Sequence, residues 1–199
     1  MRVMVVGADR PLGASLVSGL RDGAEVVAIG SGQKARIYGY GQVDLFDRDA
    51  IHTALVGVEA VVYTAAFDPN TENEQALLDE AGRGAYVLMT AAVAAGVRRG
   101  VLVSRLDLMR DYPEEYVVDA QWNALPRAEA GSLAPMMAEM VGREIARMGK
   151  LEVRCLRFGA IGAETTTDDA LIAVREALIA EPNGHSWSLA HVASSGRFA

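Results

Sequence analysis

The sequence predicts an α/β protein: a single domain over residues 1–199, in three layers, with a doubly wound and mainly parallel sheet. Three observations predict it. Short continuous apolar runs alternate with segments of helical period along nearly the whole chain, the pattern of strands buried on both faces and helices packed over them. The segment Arg2 to Leu20 (RVMVVGADRPLGASLVSGL) reads as strand, tight turn and helix. With 199 residues and 51% hydrophobic content, the chain can bury one sizeable core and is slightly short for two.

Val3 to Val6 make the first strand, and Gly7 ends it. Pro11 suits a first helical turn, where its missing N–H would have had no intrahelical partner, and Leu12, Leu16 and Leu20 recur at helical spacing. Gly7 and Gly13 bracket the turn between them. Without side chains they allow a sharp bend and close backbone approach, so the free N–H groups of the helix N-terminus can hold a pyrophosphate. A structural turn with no ligand is the competing reading of two glycines alone. The context favours the ligand, because Ala24 to Ile29 follows as a second apolar strand and completes the start of a βαβ unit of Rossmann type.

Gly30 to Gly41 is a loop rich in glycine and polar residues that carries Lys34 and Arg36, and Val43 to Leu45 would be a short third strand. Asp47 can cap the next helix through its carboxylate, with Ile51, Leu55 and Val58 on the apolar side. Val58 to Thr64 is a fourth strand. It places Ala65, Ala66 and Phe67 at its carboxyl end, the edge where ligands of parallel sheets bind. Asp68-Pro69-Asn70 breaks the chain, and a long helical segment runs from there to Gly96. Val101 to Ser104 is a fifth strand. From Leu106 to Gly131 acidic and aromatic residues (Asp107, Asp111, Tyr112, Tyr116, Asp119, Trp122) suggest a substrate-side loop or lid. Ser132 to Gly149 is a helix bearing Met136, Met137, Met140 and Met148, followed by strand Leu151 to Arg157, helix Asp168 to Ala180 and strand Ser186 to Val192.

Composition narrows the partners. A net charge of -7 argues against nucleic acid, since no basic stripe would neutralise phosphates; Arg98-Arg99 is a lone pair at a helix end. Cys155 is the single cysteine, which excludes an intramolecular disulfide and a thiolate metal cluster. His52, His185 and His191 are scattered without metal-ligand spacing. The opening apolar run is too short for a signal peptide, and no apolar stretch is long enough to span a bilayer, so a cytoplasmic protein is expected.

In the order of these features the chain resembles the extended short-chain dehydrogenase/reductase family, also called the NAD-dependent epimerase/dehydratase family, and within it the uronate-dehydrogenase-like members. Gly7 to Gly13 (GADRPLG) is similar to the family's GxxGxxG, with Arg10 in place of the middle glycine. Asp44-Leu45 resembles the pair that meets the adenine, and Thr64-Ala65-Ala66 the segment after the fourth strand. Ala95 to Arg99 with Val101 to Ser104, and Leu156 to Gly159 with Gly162, are similar to two further signatures.

The resemblance implies NAD or NADP as cofactor, bound by Gly7, Arg10, Pro11, Leu12, Gly13, Gly30, Ser31, Asp44, Leu45, Ala65, Ala66 and Ser104. It also implies a homodimer through the helices at residues 73–95 and 132–148, and a small sugar or sugar acid as substrate if there is one. The departures are chemical. In the register set by Pro135 and Glu144, the family's catalytic tyrosine and lysine become Met136 and Met140, and the ribose-binding acid after the second strand becomes Gly30. Ser104 keeps a hydroxyl near the family's serine position, slightly early. These replacements predict poor discrimination between NAD and NADP, with Ser31, Lys34 or Arg36 tolerating a 2′-phosphate and an acid restored at Gly30 shifting preference to NAD. They also predict a dinucleotide-binding protein that has lost the usual catalysis and serves as sensor, partner subunit or remnant. The alternative is an active oxidoreductase or epimerase using other groups, such as Tyr112, Tyr116, Asp107 and Asp111; a cofactor-free interaction module is weaker.

Overall fold

The computed structural model describes residues 1–33, 37–68, 73–181 and 184–199. The run from Val3 to Val6 is buried throughout, and successive side chains serve opposite faces. Val3 and Val5 join one apolar cluster; Met4 and Val6 join the other. This strand, β1 (Arg2–Val6), lies inside a seven-stranded sheet with β2 (Glu25–Gly30), β3 (Tyr40–Gln42), β4 (Ala60–Tyr63), β5 (Arg99–Arg105), β6 (Glu152–Phe158) and β7 (Trp187–Val192). The order is β3-β2-β1-β4-β5-β6-β7, and every pairing is parallel. The chain winds outward from β1 to β3, returns to β4 and winds out the other way. That reversal opens a crevice at the carboxyl ends of β1 and β4.

Helices α1 (Pro11–Leu20) and α6 (Thr167–Ile179) cover one face through Leu12, Leu16, Ala170 and Val174. Helices α2 (Arg48–Ala54), α3 (Glu74–Asp79), α4 (Ala85–Ala94) and α5 (Ala130–Arg147) cover the other through Ile51, Leu77, Leu88 and Ala138. The Asp47 carboxylate caps α2, accepting from the N–H groups of Asp49 and Ala50 at 3.0 and 3.1 Å. No helix among the described residues is long and apolar enough to cross a membrane.

Two elements differ from the sequence reading. The third strand is Tyr40–Gln42, not Val43 to Leu45, because Asp44 Oδ1 accepts from its own Phe46 N–H at 2.8 Å and turns the chain after a last bond from Val43 N–H to Gly30 O. The long helical segment is split by a π turn over Glu80–Gly84. Gly82 and Gly84 make room for Met137 and Leu45, and the buried Tyr63 hydroxyl donates to the Glu80 carbonyl at 2.7 Å, supporting that wider turn. The methionines of this region divide: Met137 packs on the main core and Met136 on a small cluster of Leu106, Leu108, Met109 and Val118, while Met140 and, just past α5, Met148 are exposed. Lys34 and Arg36, and the expected break at Pro69-Asn70, lie outside the described residues.

The segment after β5 opens with a short 3₁₀ turn, Leu106–Met109, and is irregular up to α5. The tail is tied to it. Arg197 donates to the carbonyls of Tyr112 and Pro113 at 2.7 and 2.5 Å, and Tyr112 stacks edge-on against Trp122 at 4.9 Å.

Candidate dinucleotide site

Gly7 takes a φ of +87°, and its N–H and that of Ala8 both donate to Ile29 O, at 3.0 and 2.9 Å. The turn is thereby fixed to the end of β2. Arg10 N–H returns to Gly7 O at 3.1 Å and Pro11 opens α1, whose N-terminus has no side-chain cap. Its first-turn N–H groups remain available to a ligand. Gly13 presses against Gly7 so closely that a Cβ there would overlap the Gly7 carbonyl. Thr64 closes the far side, its hydroxyl donating to Val6 O at 2.8 Å.

The uncapped helix end faces a cleft of about 560 Å³. Arg10, Leu12 and Gly13 line one wall, with Phe67 after β4, Arg105 at the end of β5, Asp107 beyond it and Gly159 to Gly162 after β6 on the others. Arg10 bears a buried Nη1 with no hydrogen-bond partner, while its Nη2 is ion-paired with Glu80. An uncapped helix dipole, a glycine contact that admits no side chain and an unsatisfied guanidinium N–H together fit a pyrophosphate.

The other expected cofactor residues are spread around this turn. Gly30 ends β2 and Ser31 follows it, donating its hydroxyl to Glu80. Asp44 is exposed, Leu45 is buried against Gly84, and Ala65 and Ala66 are buried at the end of β4. Glu80 went unnoticed in the sequence. It sits at the start of the π turn and joins Arg10 to Ser31; an acid just ahead of two closely spaced glycines within a helical pattern is the signal that could have found it. Tyr40 belongs to the same region. Burial, then Asp9 and then Glu80, push its hydroxyl pKa up to about 12, and the neutral phenol donates to Gly32 O at 2.6 Å. An acid restored at Gly30 would not simply add a ligand, because its Cβ would overlap the Asp9 carboxylate.

Ser104 lies away from the cleft. Fully buried on β5, it donates its hydroxyl to Glu139 Oε1 at 2.5 Å, and Arg157 holds the same carboxylate through Nε at 2.8 Å and Nη2 at 2.7 Å. Burial and then Glu139 push the neighbouring Cys155 thiol well up. Met136 and Met140 line a different cleft of about 410 Å³, beside Trp122 and Trp187. Of the loop groups, Asp107 lines the main cleft and pairs with Arg105 and Arg110. Tyr112 donates to Asn123 O at 2.9 Å, Tyr116 packs on Trp122, and Asp111 is held by Arg127. No tyrosine, lysine or histidine lines the main cleft among the described residues. The chain has two lysines; Lys150 precedes β6 at the amino edge of the sheet, and Lys34 is the other.

Comparison with known proteins agrees with this geometry. A family model described as NAD(P)H-binding matches residues 8–194. Sterol demethylase protein B of Methylococcus capsulatus is 38% identical over 116 residues, which are 52% of this chain and 34% of that protein, so the match spans about a third of the relative's length. Uronate dehydrogenase from Agrobacterium tumefaciens has the same fold, with a TM-score of 0.85 at 22% identity over 98% of this chain and 77% of its own. A short-chain dehydrogenase/reductase superfamily protein from Agrobacterium tumefaciens, solved with bound NAD, superposes with a TM-score of 0.69 at 26% identity, over 81% of this chain and 50% of its own. The sheet order, the glycine turn and the family match lead to one conclusion: the chain belongs to the NAD(P)H-binding family, with NAD or NADP as its cofactor.

Proposed function

We propose that this protein holds a dinucleotide as members of the NAD-dependent epimerase/dehydratase type do, without their tyrosine–lysine catalysis, and acts as a sensor, a partner subunit or a remnant of such an enzyme. The observation that carries the reading is Ser104, whose hydroxyl is spent on the buried Glu139–Arg157 pair. Met136 and Met140 add to it. A tyrosine there would exchange a proton with a substrate hydroxyl and a lysine would lower its pKa from about 10, whereas a thioether does neither. Positioned acid–base groups contribute roughly 10²- to 10⁴-fold, so turnover without them should lie near background. The test is the double variant Met136→Tyr with Met140→Lys. Turnover of a uronate by the variant, and none by the parent, supports the register; equal rates in both, at ordinary enzyme levels, overturn it.

A second reading is favoured by Asp107, which with Asp68 supplies the carboxylates that line the main cleft among the described residues. On that reading the protein is an active oxidoreductase or epimerase on a small sugar or sugar acid, the substrate type named for the uronate dehydrogenase neighbour. Asp107→Asn would then abolish a turnover that the parent possesses. A homodimer through the helices at residues 73–95 and 132–148 belongs to either reading, supported by exposed Tyr86 and Met140 on them.

A further inference from the structure

The expected ribose-binding acid is missing from the end of β2, yet a carboxylate stands there. Asp9, the third residue of the glycine turn, reaches across Gly30, and a Cβ on that glycine would overlap Asp9 Oδ1. A Cβ at Gly32 would fall 2.6 Å from Asp9 Oδ2, the oxygen that accepts from the Gly32 N–H at 3.0 Å. The carboxylate is thus held between two glycines and anchored through one oxygen. Its other oxygen, Oδ1, is buried and has no hydrogen-bond partner among the described residues. A buried carboxylate oxygen left without a donor is costly, and a ligand hydroxyl would supply one.

When a pyrophosphate sits on the N-terminus of the first helix, the adenosine ribose lies at the end of the second strand, where an acid accepts from the 2′-hydroxyl. We propose that Asp9 performs this task from the glycine turn, with Gly30 as the space it needs, and that it makes the site selective for NAD over NADP. The proposal rests on the dinucleotide reading and goes beyond it by choosing between the two cofactors.

Charge around the position acts in the same direction. Glu80 stands beside it, accepting from Ser31 and pairing with Arg10. A 2′-phosphate, carrying roughly −1.5 to −2 charges, would meet Asp9 and Glu80 with the Arg10 guanidinium already committed on one side. The ribose diol of NAD instead donates to Asp9 Oδ1 and satisfies it.

Calorimetric titration of the full chain with NAD and with NADP tests the proposal without any turnover. NAD should bind roughly tenfold to a hundredfold more tightly, the range expected of a hydrogen bond to a charged acceptor. Asp9→Asn should weaken NAD and bring the two affinities close together, with Asp9→Ser as a second variant should the first melt early. Equal or tighter binding of NADP by the unmodified protein overturns the proposal and leaves the dinucleotide reading intact. An unchanged ratio in folded Asp9→Asn does the same. Binding of neither dinucleotide overturns both.

Discussion

Replacing Glu139 with glutamine is the sharpest stability test of the interior. The Glu139 and Arg157 side chains are 6% and 4% exposed, and the carboxylate accepts three hydrogen bonds, two from Arg157 and one from Ser104. Glutamine keeps the shape, but it removes the charge and turns an NH₂ towards the guanidinium. The guanidinium is then buried and uncompensated, a loss that costs about 3–5 kcal/mol. For a chain of this length each kcal/mol moves Tm by roughly 2–4 °C, so Tm should fall by roughly 6–20 °C. Ser104→Ala is the control. It leaves the pair intact and removes one hydrogen bond, worth about 1 kcal/mol. Denaturant and thermal melts of the two variants beside the parent give the comparison. A Glu139→Gln cost no larger than that of Ser104→Ala would refute the picture of a buried ion pair occupying the serine's hydroxyl.

Gly13→Ala should weaken dinucleotide binding by roughly 5- to 150-fold, because its methyl would overlap the Gly7 carbonyl and relieving such overpacking costs about 1–3 kcal/mol; nicotinamide fluorescence reads the loss, and undiminished affinity contradicts the role of that contact. Burial, and then Arg157, hold the His191 pKa below 6.5 in the folded chain. Between that lowered value and 6.5 the unfolded chain binds more protons, so His191 contributes stability that is present above 6.5 and lost as pH falls through the window. His191→Phe should flatten that part of the Tm–pH curve, and an unchanged slope would exclude His191 as its source. Light scattering should return twice the 21.2 kDa chain mass at micromolar concentration; a monomer mass would count against pairing through residues 73–95 and 132–148.

The frame was legible because it depends on local patterns. Val3 to Val6 could only be a strand buried on both sides, and Gly7 with Gly13 could only serve a tight strand-to-helix turn. Asp47 announced its helix by capping chemistry. What failed to show depends on contacts between residues far apart in sequence. Tyr63 and Glu80 shape the π turn across 17 positions, and Ser104 is diverted by Glu139 across 35. Neither pairing leaves a periodic trace. The approach of Asp9 to Gly30 from the neighbouring turn was equally invisible along the strand. Met136 and Met140 carry the same limit: nothing in the sequence placed both in a second cleft beside Trp122 and Trp187.

The central claim is a dinucleotide held in place without proton-transfer groups to use it. A rapid-mixing experiment tests it most directly: protein saturated with NAD is mixed with excess glucuronate, and nicotinamide reduction is followed through the first turnover. The account predicts bound NAD and no burst of NADH above the protein-free rate. A burst equal in amount to the protein would contradict it and move the chemistry to the groups lining the main cleft, with Asp107 first among them.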